Sequence, residues 1–284
     1  MKTKSFLAIL AIGCLCSCQQ NEEFDSSKKS DAISFTMNSD GLKMDGTTRA
    51  MINEGLLKTS FVSGDVLSLG TSDSFSRYIL GQSIYSWANF NARGVTFCAH
   101  YPELSSYQLI NKRYFVGGNE YIFGTSANDV TPAVKNVNLS FKRMSIPVVL
   151  VDSKGAPYAG NAKVTLHLKN HGVQNLETGA VSVDPLNDTF ANIEVNKQSE
   201  GRITNIIPQA VESDDVFMTL SINGQNYDLA LPNDAAFVSG ETKAIVIALP
   251  AMTRGINNRY NVIVNADNGY YNIGIIDGDI PLRR

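Results

Sequence analysis

Few side chains in this sequence have the types and spacing that catalysis or metal binding requires. His167 and His171 lie four residues apart, a spacing that lets two imidazoles bind one metal ion when both lie on a helix. The residues around them are typical of a strand followed by a turn, so we do not expect a metal site there. The acidic pair Asp214-Asp215 lacks the spacing of a calcium-binding loop. Because the glycine motifs of nucleotide sites and serine hydrolases are also missing, we predict no catalytic, cofactor-binding or metal-binding residues.

Three of the four cysteines lie close together near the N-terminus, as Cys14, Cys16 and Cys18. They follow a short basic segment and an apolar run that is too short to span a bilayer, so we expect residues 1–17 to be an export signal. Leu15 and Ser17 give Cys18 a pattern that resembles a bacterial lipobox, and Cys14 has a weaker version. A thiol at a new N-terminus can carry several acyl chains, which together give stable membrane attachment. We predict lipidation at Cys18; the alternatives are Cys14 or an ordinary signal peptide with incidental cysteines.

The composition excludes several classes of protein. Apolar residues make up 43% of the 284 residues and charged residues 18%, which excludes disorder of the whole chain. The net charge of −3 argues against a nucleic-acid partner. After Cys18 only Cys98 remains, so neither a disulfide framework nor a cysteine-based zinc site can form. Residues 18–31 are polar and rich in Ser, Lys and Asp, and we predict that they form a tether.

The rest of the chain has the alternating pattern of β-strands. Short runs alternate apolar and polar residues and end in Gly, Asn, Asp or Ser, and helical periodicity never lasts more than about two turns. In the first run, Ile33, Phe35 and Met37 share one face. The polar, proline-containing stretch at residues 131–133 is the best domain boundary. The sequence therefore predicts an all-β protein with antiparallel sandwiches at residues 32–133 and 134–284. Predicted strands cover residues 32–37, 66–69, 76–80, 95–101, 121–124, 137–141, 146–151, 163–169, 217–222, 225–231, 244–249, 259–264 and 270–276.

Seven short motifs follow one another along residues 32–276. They are Thr47-Thr48-Arg49-Ala50, Phe61-Val62-Ser63-Gly64-Asp65-Val66-Leu67, Val95-Thr96-Phe97-Cys98-Ala99-His100-Tyr101-Pro102, Asn138-Leu139-Ser140-Phe141-Lys142-Arg143-Met144, Ile206-Ile207-Pro208-Gln209, Ile222-Asn223-Gly224-Gln225-Asn226-Tyr227 and Phe237-Val238-Ser239-Gly240-Glu241. In this order they resemble the motifs of the fimbrillin family, the lipoprotein pilins of the type V pilus of Bacteroides-type bacteria. Two features depart from the family pattern: His100 stands where the family often has an aromatic residue, and the C-terminus lacks an aromatic ending. The resemblance implies two tandem transthyretin-like β-sandwiches behind a lipoprotein signal peptide.

The resemblance also implies a mechanism of assembly. A trypsin-like protease would cut between Arg49 and Ala50 and release the first strand with Ile33, Phe35 and Met37. The opened sheet edge would then accept a strand from the next subunit, which is β-augmentation. The alternative is that Arg49 is a solvated loop residue and that the first strand stays in place.

The candidate donor strand lies near the C-terminus, where Tyr271, Ile273 and Ile275 alternate with Asn272 and Gly274. This segment fits a groove with pockets at every second position. An equally good interpretation is that it is the last strand of the second sandwich.

The expected function is that of a structural and adhesive pilus subunit. Its expected partners are other pilin subunits, the outer membrane through the lipid anchor, and a receptor on a host or bacterial surface. We expect it on the outer membrane, exposed at the surface, and in the pilus after processing. The alternative is a monomeric surface lipoprotein that binds host or dietary glycans, with Trp87, Tyr85 and Phe90 as a sugar-stacking platform. An enzyme would need clustered ionisable groups, which the sequence lacks.

Overall fold

The structure is a computed structural model that describes residues 31–44, 51–90, 94–105, 112–222, 224–249, 259–266 and 269–277. In the last two ranges, and at positions 54 and 115, it describes the backbone alone. The prediction of an all-β protein is confirmed, because strands dominate these ranges and the helices named here are single 3-10 turns. Those turns are Asp40–Leu42, Glu54–Leu56, Trp87–Asn89 and Gln198–Glu200.

The strands are numbered in chain order. They are β1 (Ala32–Asn38), β2 (Val66–Thr71), β3 (Ser74–Ile79), β4 (Tyr85–Ser86), β5 (Cys98–Tyr101), β6 (Arg113–Val116), β7 (Ile122–Thr125), β8 (Asn136–Arg143), β9 (Ile146–Asp152), β10 (Lys163–Lys169), β11 (Gly172–Asn175), β12 (Val181–Val183), β13 (Phe190–Glu194), β14 (Thr204–Ile206), β15 (Ala210–Val211), β16 (Val216–Ile222), β17 (Gln225–Ala230), β18 (Ala235–Ala236), β19 (Ile245–Leu249), β20 (Arg259–Ala266) and β21 (Gly269–Asp277).

The first sheet has seven strands in the order β3-β2-β5-β7-β8-β1-β4. Its two ends come together, because the ring of Tyr78 in β3 lies 5.7 Å from that of Phe35 in β1 and 5.4 Å from that of Tyr85 in β4. The sheet thus curls around its own apolar face. Fully buried residues such as Leu69 and Ile122 form the centre of this first core.

The second half of the chain forms a sandwich. A four-stranded sheet, β13-β10-β16-β17, packs on a five-stranded sheet, β14-β9-β19-β20-β21. Strand β10 alternates between exposed or half-buried residues and the buried Val164, Leu166 and Leu168. These side chains share one core with Val148 and Leu150 of β9. Period-two alternation therefore places the apolar face of each strand between the two sheets.

Two strand pairs are parallel, unlike the antiparallel pairing that the sequence predicts. Strand β1 runs parallel to β8, and β9 runs parallel to β19. The partners in each pair lie about a hundred residues apart in the chain, at registers such as Phe35↔Val137 and Val149↔Val246. A long crossover permits parallel pairing, whereas a tight hairpin forces antiparallel pairing.

A small sheet joins the two halves of the chain. Strand β6, from the first half, pairs with β11, which in turn pairs with β12. A separate buried cluster accompanies this sheet and contains Phe75 and Phe123 from the first half with Leu176 and Val181 from the second. At Gly179, φ is +72° and an added Cβ would meet the ring of Phe123, so only glycine fits this close approach.

The pairing of β8 bears on the predicted domain boundary. Strand β8 follows residues 131–133, yet it pairs with β7 and β1 in the first sheet. The division into domains at residues 133 and 134 stays a prediction. The pairing of β8 favours placing that division after Arg143, where the chain crosses from the first sheet to β9.

Candidate functional site: the first strand and its groove

Strand β1 lies between β8 and β4 in the first sheet. Five consecutive residue pairs, from Ser34↔Asn136 to Asn38↔Ser140, join it to β8. Only two pairs, Ala32↔Ser86 and Ile33↔Tyr85, join it to β4. Removing β1 would therefore leave the backbone N–H and C=O groups of β8 unpaired along most of one edge.

The two faces of β1 differ as the sequence predicts. Ile33 is buried, and Phe35 and Met37 are half-buried against the first core. Ser34 and Thr36 are exposed on the other face, where Thr36 Oγ1 donates a hydrogen bond of 3.0 Å to Asn136 Oδ1. The strand therefore fills a groove whose floor is apolar and whose rim is polar.

The centre of this groove is an aromatic pocket around Phe35. Its ring makes edge contacts with Tyr78 and Tyr85, each at 5.7 Å between centroids, and with Phe97 at 5.2 Å. The Tyr85 hydroxyl donates a hydrogen bond of 2.7 Å to Leu69 O. Burial raises the pKa of both tyrosines, so these rings stay neutral in the core. Edge contacts of this kind stabilise an aromatic ring at the Phe35 position by more than its buried area alone would.

Two of the three aromatic residues considered for sugar stacking belong to this core. Trp87 is 4% exposed, and its indole Nε1 donates a hydrogen bond of 3.1 Å to Val134 O. Tyr85 is 8% exposed. Phe90 is only half-buried and packs against Trp87 and Tyr85. Trp87 and Tyr85 therefore support the floor of the β1 groove and do not form a platform open to a glycan.

The chain after β1 turns tightly against the end of β8. The 3-10 turn Asp40–Leu42 approaches so closely that a Cβ on Gly41 would meet the carbonyl oxygen of Phe141. Leu42 is buried in the first core, and Met44 is buried in a separate cluster with Val246 of β19. The segment from β1 to Met44 thus contacts both halves of the protein.

A buried arginine links this segment to the chain beyond the predicted cut. The Arg143 side chain is 4% exposed and its Nε donates a hydrogen bond of 2.9 Å to Glu120 Oε1. Its Nη1 donates to Leu42 O at 3.2 Å, and its Nη2 donates to Lys58 O at 2.7 Å. The Lys58 ammonium pairs in turn with Asp65 at 2.6 Å. The sequence gives two signals for Arg143: its place at the inward end of the alternating β8, and its place in the motif at residues 138–144 that carries the family resemblance.

The other predicted site residues divide into two groups. Cys14, Cys18, Arg49 and Ala50 lie outside the described residues. The candidate donor residues Tyr271, Ile273 and Ile275 lie in β21, where the backbone alone is described. Strand β21 pairs antiparallel with β20 at the edge of the five-stranded sheet.

The histidines lie apart from any arrangement that suggests chemistry. His167 in β10 has Nδ1 2.8 Å from Asn192 Oδ1 and Nε2 2.7 Å from Thr219 Oγ1, while His171 is exposed. Over the described ranges, no three His, Cys, Asp or Glu side chains come close enough to hold a metal ion. Burial raises the pKa of the Cys98 thiol to about 11, so it remains protonated. In the same ranges no helix has the length and apolar character needed to cross a membrane.

Comparison with known families identifies the fold around this groove. The sequence profile described as fimbrillin-like matches residues 25–266, a range that includes β1, β8 and the Arg143 site. The chain belongs to the fimbrillin-like family. The resemblance found in the short motifs is therefore confirmed.

Solved structures of other proteins have a similar fold. A proposed cell adhesion protein from Bacteroides thetaiotaomicron is 30% identical, with a TM-score of 0.60, and the match covers 89% of this chain and 99% of that one. A proposed cell adhesion protein from Bacteroides uniformis is 14% identical, with a TM-score of 0.52 and coverage of 87% and 97%. Among curated proteins there is no match.

Membership in the fimbrillin-like family bears on activity as well as on fold. Fimbrillin-like proteins are structural proteins, so family and fold together confirm the prediction that this chain is not an enzyme. They also support a place among pilus or adhesion subunits at the cell surface.

Proposed function

We propose that this fimbrillin-like protein is a structural and adhesive subunit of a cell-surface pilus. It is made as a lipid-anchored precursor and assembled by strand exchange that a protease triggers. The observation that carries the proposal is β1 itself, an alternating strand that pairs through five residue pairs with β8 and precedes the candidate cut at Arg49 in the chain. Family membership supports the same role.

The N-terminal residues deliver the subunit to the outer membrane. Residues 1–17 act as the signal peptide, Cys18 carries the lipid, and residues 18–31 form the tether. The protein is then exposed on the outer surface, where a protease can reach it.

Cleavage between Arg49 and Ala50 breaks the covalent connection between β1 and the rest of the fold. Once β1 leaves, the edge of β8 presents unpaired backbone groups and the side chains Val137 and Leu139, which lie beside Phe35 and Met37 in the intact protein. A sheet edge of this kind binds an extended strand from another subunit.

Strand β21 is the donor that we propose. It is nine residues long and lies at the edge of its sheet, so its removal leaves the order of the other strands unchanged. Tyr271, Ile273 and Ile275 occupy alternate positions, the same spacing as Ile33, Phe35 and Met37. The partners are therefore other pilin subunits, and the finished polymer can present a surface to a host or bacterial receptor.

We also propose that the chain folds as two tandem transthyretin-like sandwiches. The curled seven-stranded sheet corresponds to the first, and the packed four- and five-stranded sheets correspond to the second. Their separate cores support this division, although the small β6-β11-β12 sheet ties the halves together.

The proposal is tested on the purified precursor by limited treatment with trypsin. We expect one early cut, with Ala50 as the new N-terminus by mass spectrometry, followed by ladders of polymer on a gel. An Arg49→Gln precursor is the matched control, and it should remain uncut at this position and monomeric.

Two results would overturn the proposal. A precursor that is cut at Arg49 but stays monomeric would refute assembly by strand exchange. A precursor that resists trypsin, carries lipid at Cys18 and binds glycans as a monomer would favour the surface lipoprotein. Mass spectrometry of material purified from cells would show directly whether the N-terminus is acylated Cys18 or Ala50.

A further inference from the structure

The segment that precedes the predicted cut is bound at two places on the protein. The first place is the backbone ladder between β1 and β8. The second place, which we call the Leu42 site, is formed where Leu42 and Met44 are buried beside Arg143 and β19. The half-buried Ser39 and the exposed Asp40 separate the two places.

The Leu42 site is built to hold backbone as well as side chains. Leu42 is 1% exposed, and its carbonyl oxygen accepts a hydrogen bond from Arg143 Nη1 at 3.2 Å. The donor is an ionised guanidinium in a buried position, which makes such a bond stronger than one between neutral groups. Glu120 pairs with the same guanidinium and keeps its charge compensated. Only a segment without a side chain at the Gly41 position can approach β8 this closely.

One side chain also contacts the chain on both sides of the predicted cut. Arg143 donates one hydrogen bond to Leu42 O, before Arg49 in the chain, and another to Lys58 O, after it. After the predicted cut, Met51 O accepts a hydrogen bond of 2.8 Å from the Gln198 amide. The chain after the cut is therefore held by a contact of its own. A break in the backbone between residues 44 and 51 would therefore leave these contacts intact.

We propose that the Leu42 site is a second binding site for the first segment, and that it keeps this segment in place after the chain is cut. The inference rests on the proposed cleavage at Arg49. In this scheme cleavage makes strand exchange possible, while the first segment remains bound in the groove. The apolar floor of the groove stays covered until another strand displaces β1, which protects the cut subunit from unspecific aggregation.

The test uses the full chain with residues 45–50 replaced by the site of a sequence-specific protease. The cut then does not depend on whether Arg49 is recognised. Native mass spectrometry follows, over time after cutting, the fraction of protein that still carries the N-terminal segment. We expect the protein that carries only the inserted protease site to retain the segment for hours. The same protein with Arg143→Met should release it at least tenfold faster.

Two further variants separate the Leu42 site from general weakening of the fold. Arg143→Met also removes the ion-pair partner of Glu120. Leu42→Ala therefore tests the site from the side of the segment, and it should accelerate release as well. Asn136→Ala is the matched control, because it removes exposed hydrogen bonds to Ser34 and Thr36 at the β1 ladder. It should release the segment at nearly the wild-type rate.

The outcomes distinguish this inference from the proposed function. Immediate loss of the segment from the wild-type background, or equal release rates in Leu42→Ala and Asn136→Ala, would overturn the Leu42 site. If the segment is retained in this test but trypsin does not cut the natural chain at Arg49, the proposed processing fails and the Leu42 site stands.

Discussion

We expect the substitution His100→Phe to make the stability of the fold less sensitive to acid. His100 lies in β5 and is 1% exposed. Its ring packs against Phe75 at 4.9 Å and Phe123 at 5.0 Å between centroids. Its nitrogens lie 3.3 Å from Gln174 Oε1 and 3.2 Å from Leu176 O. An aromatic ring without titratable nitrogens can occupy the same slot between the two phenylalanines.

The magnitude follows from the pKa of the buried ring. Burial lowers the pKa of His100 from 6.5 to about 4, and its two hydrogen bonds oppose that change only in part. Among the residues that the structure describes, the groups found to face the ring are two phenyl rings, an amide and a carbonyl oxygen, and none of them is a charged partner that would compensate for burial of the imidazolium. At 1.36 kcal/mol per pH unit, the difference between the folded and unfolded pKa values is worth about 3 kcal/mol.

The sign and the pH range follow from proton binding. Above pH 6.5 the ring is neutral in both states and contributes no pH dependence. Between pH 6.5 and about pH 4 the unfolded chain binds a proton that the folded protein does not, so the free energy of unfolding decreases as the pH falls. Below that range both states bind the proton and the loss is complete.

The assay is urea unfolding monitored by the fluorescence of Trp87, at about pH 7.5 and about pH 4.5. The measured quantity is the loss of unfolding free energy between the two pH values, so the constant effect of replacing the side chain cancels. His171→Gln is the matched control, since His171 is exposed, and it should lose as much stability as the wild type. If His100→Phe also loses as much as the wild type, the buried neutral histidine is not a source of acid sensitivity.

Two further predictions concern packing. Phe35→Ala should lower the free energy of unfolding, measured in urea, by about 3 kcal/mol, because it removes three ring contacts. Thr36→Ala on the exposed face is the control and should change it by less than about 0.5 kcal/mol. Similar losses in the two variants would contradict the packing of β1. Gly179→Ala should cost about 3 kcal/mol, because φ is +72° and the ring of Phe123 blocks the new methyl group. Gly201 has a similar φ of +76° but open space around it, so Gly201→Ala should lower the free energy of unfolding by only about 1 kcal/mol. Equal losses in the two variants would show that contact between the new methyl group and Phe123 contributes nothing.

The long alternating strands could be predicted from the sequence because their pattern is local. In β8, buried residues occupy every second position from Val137 to Arg143, and β10 repeats the pattern. Alternation of this kind records which face of a strand is buried. The predicted strands at residues 217–222 and 225–231 correspond to β16 and β17, which pair antiparallel. Gly224 between them has the positive φ of +81° that a tight turn needs.

The short strands and the pairing partners could not be predicted in this way. Strand β13 alternates between exposed and half-buried residues, so it carries no apolar stripe to detect. Strands β4, β15 and β18 have two residues each, too few for any period. The parallel partner of β1 is β8, which lies about a hundred residues away. The pattern of residues 32–38 does not indicate which strand will pair with them.

The role of Arg143 could not be predicted either, because its partners are distant in the sequence. An arginine in an alternating strand is usually solvated, because burying its charge is costly without a partner. Its partners Glu120, Leu42 and Lys58 come from three separate parts of the chain. The Leu42 site therefore exists only once the fold has brought those parts together.

The distribution of burial explains how the first sheet can hold β1 and still exchange it. Leu67, Leu69 and Ile122, which come from β2 and β7, are fully buried, whereas β1 supplies one buried side chain, Ile33, and the half-buried Phe35 and Met37. Apart from Leu42, the strands that remain after a cut therefore keep the fully buried side chains of the first core. Strand β1 adds its backbone hydrogen bonds and partly covers that core. A replacement strand needs only to restore backbone hydrogen bonds and an alternating apolar face to recover most of that contribution. A strand that was central to the core could not leave without unfolding the sheet.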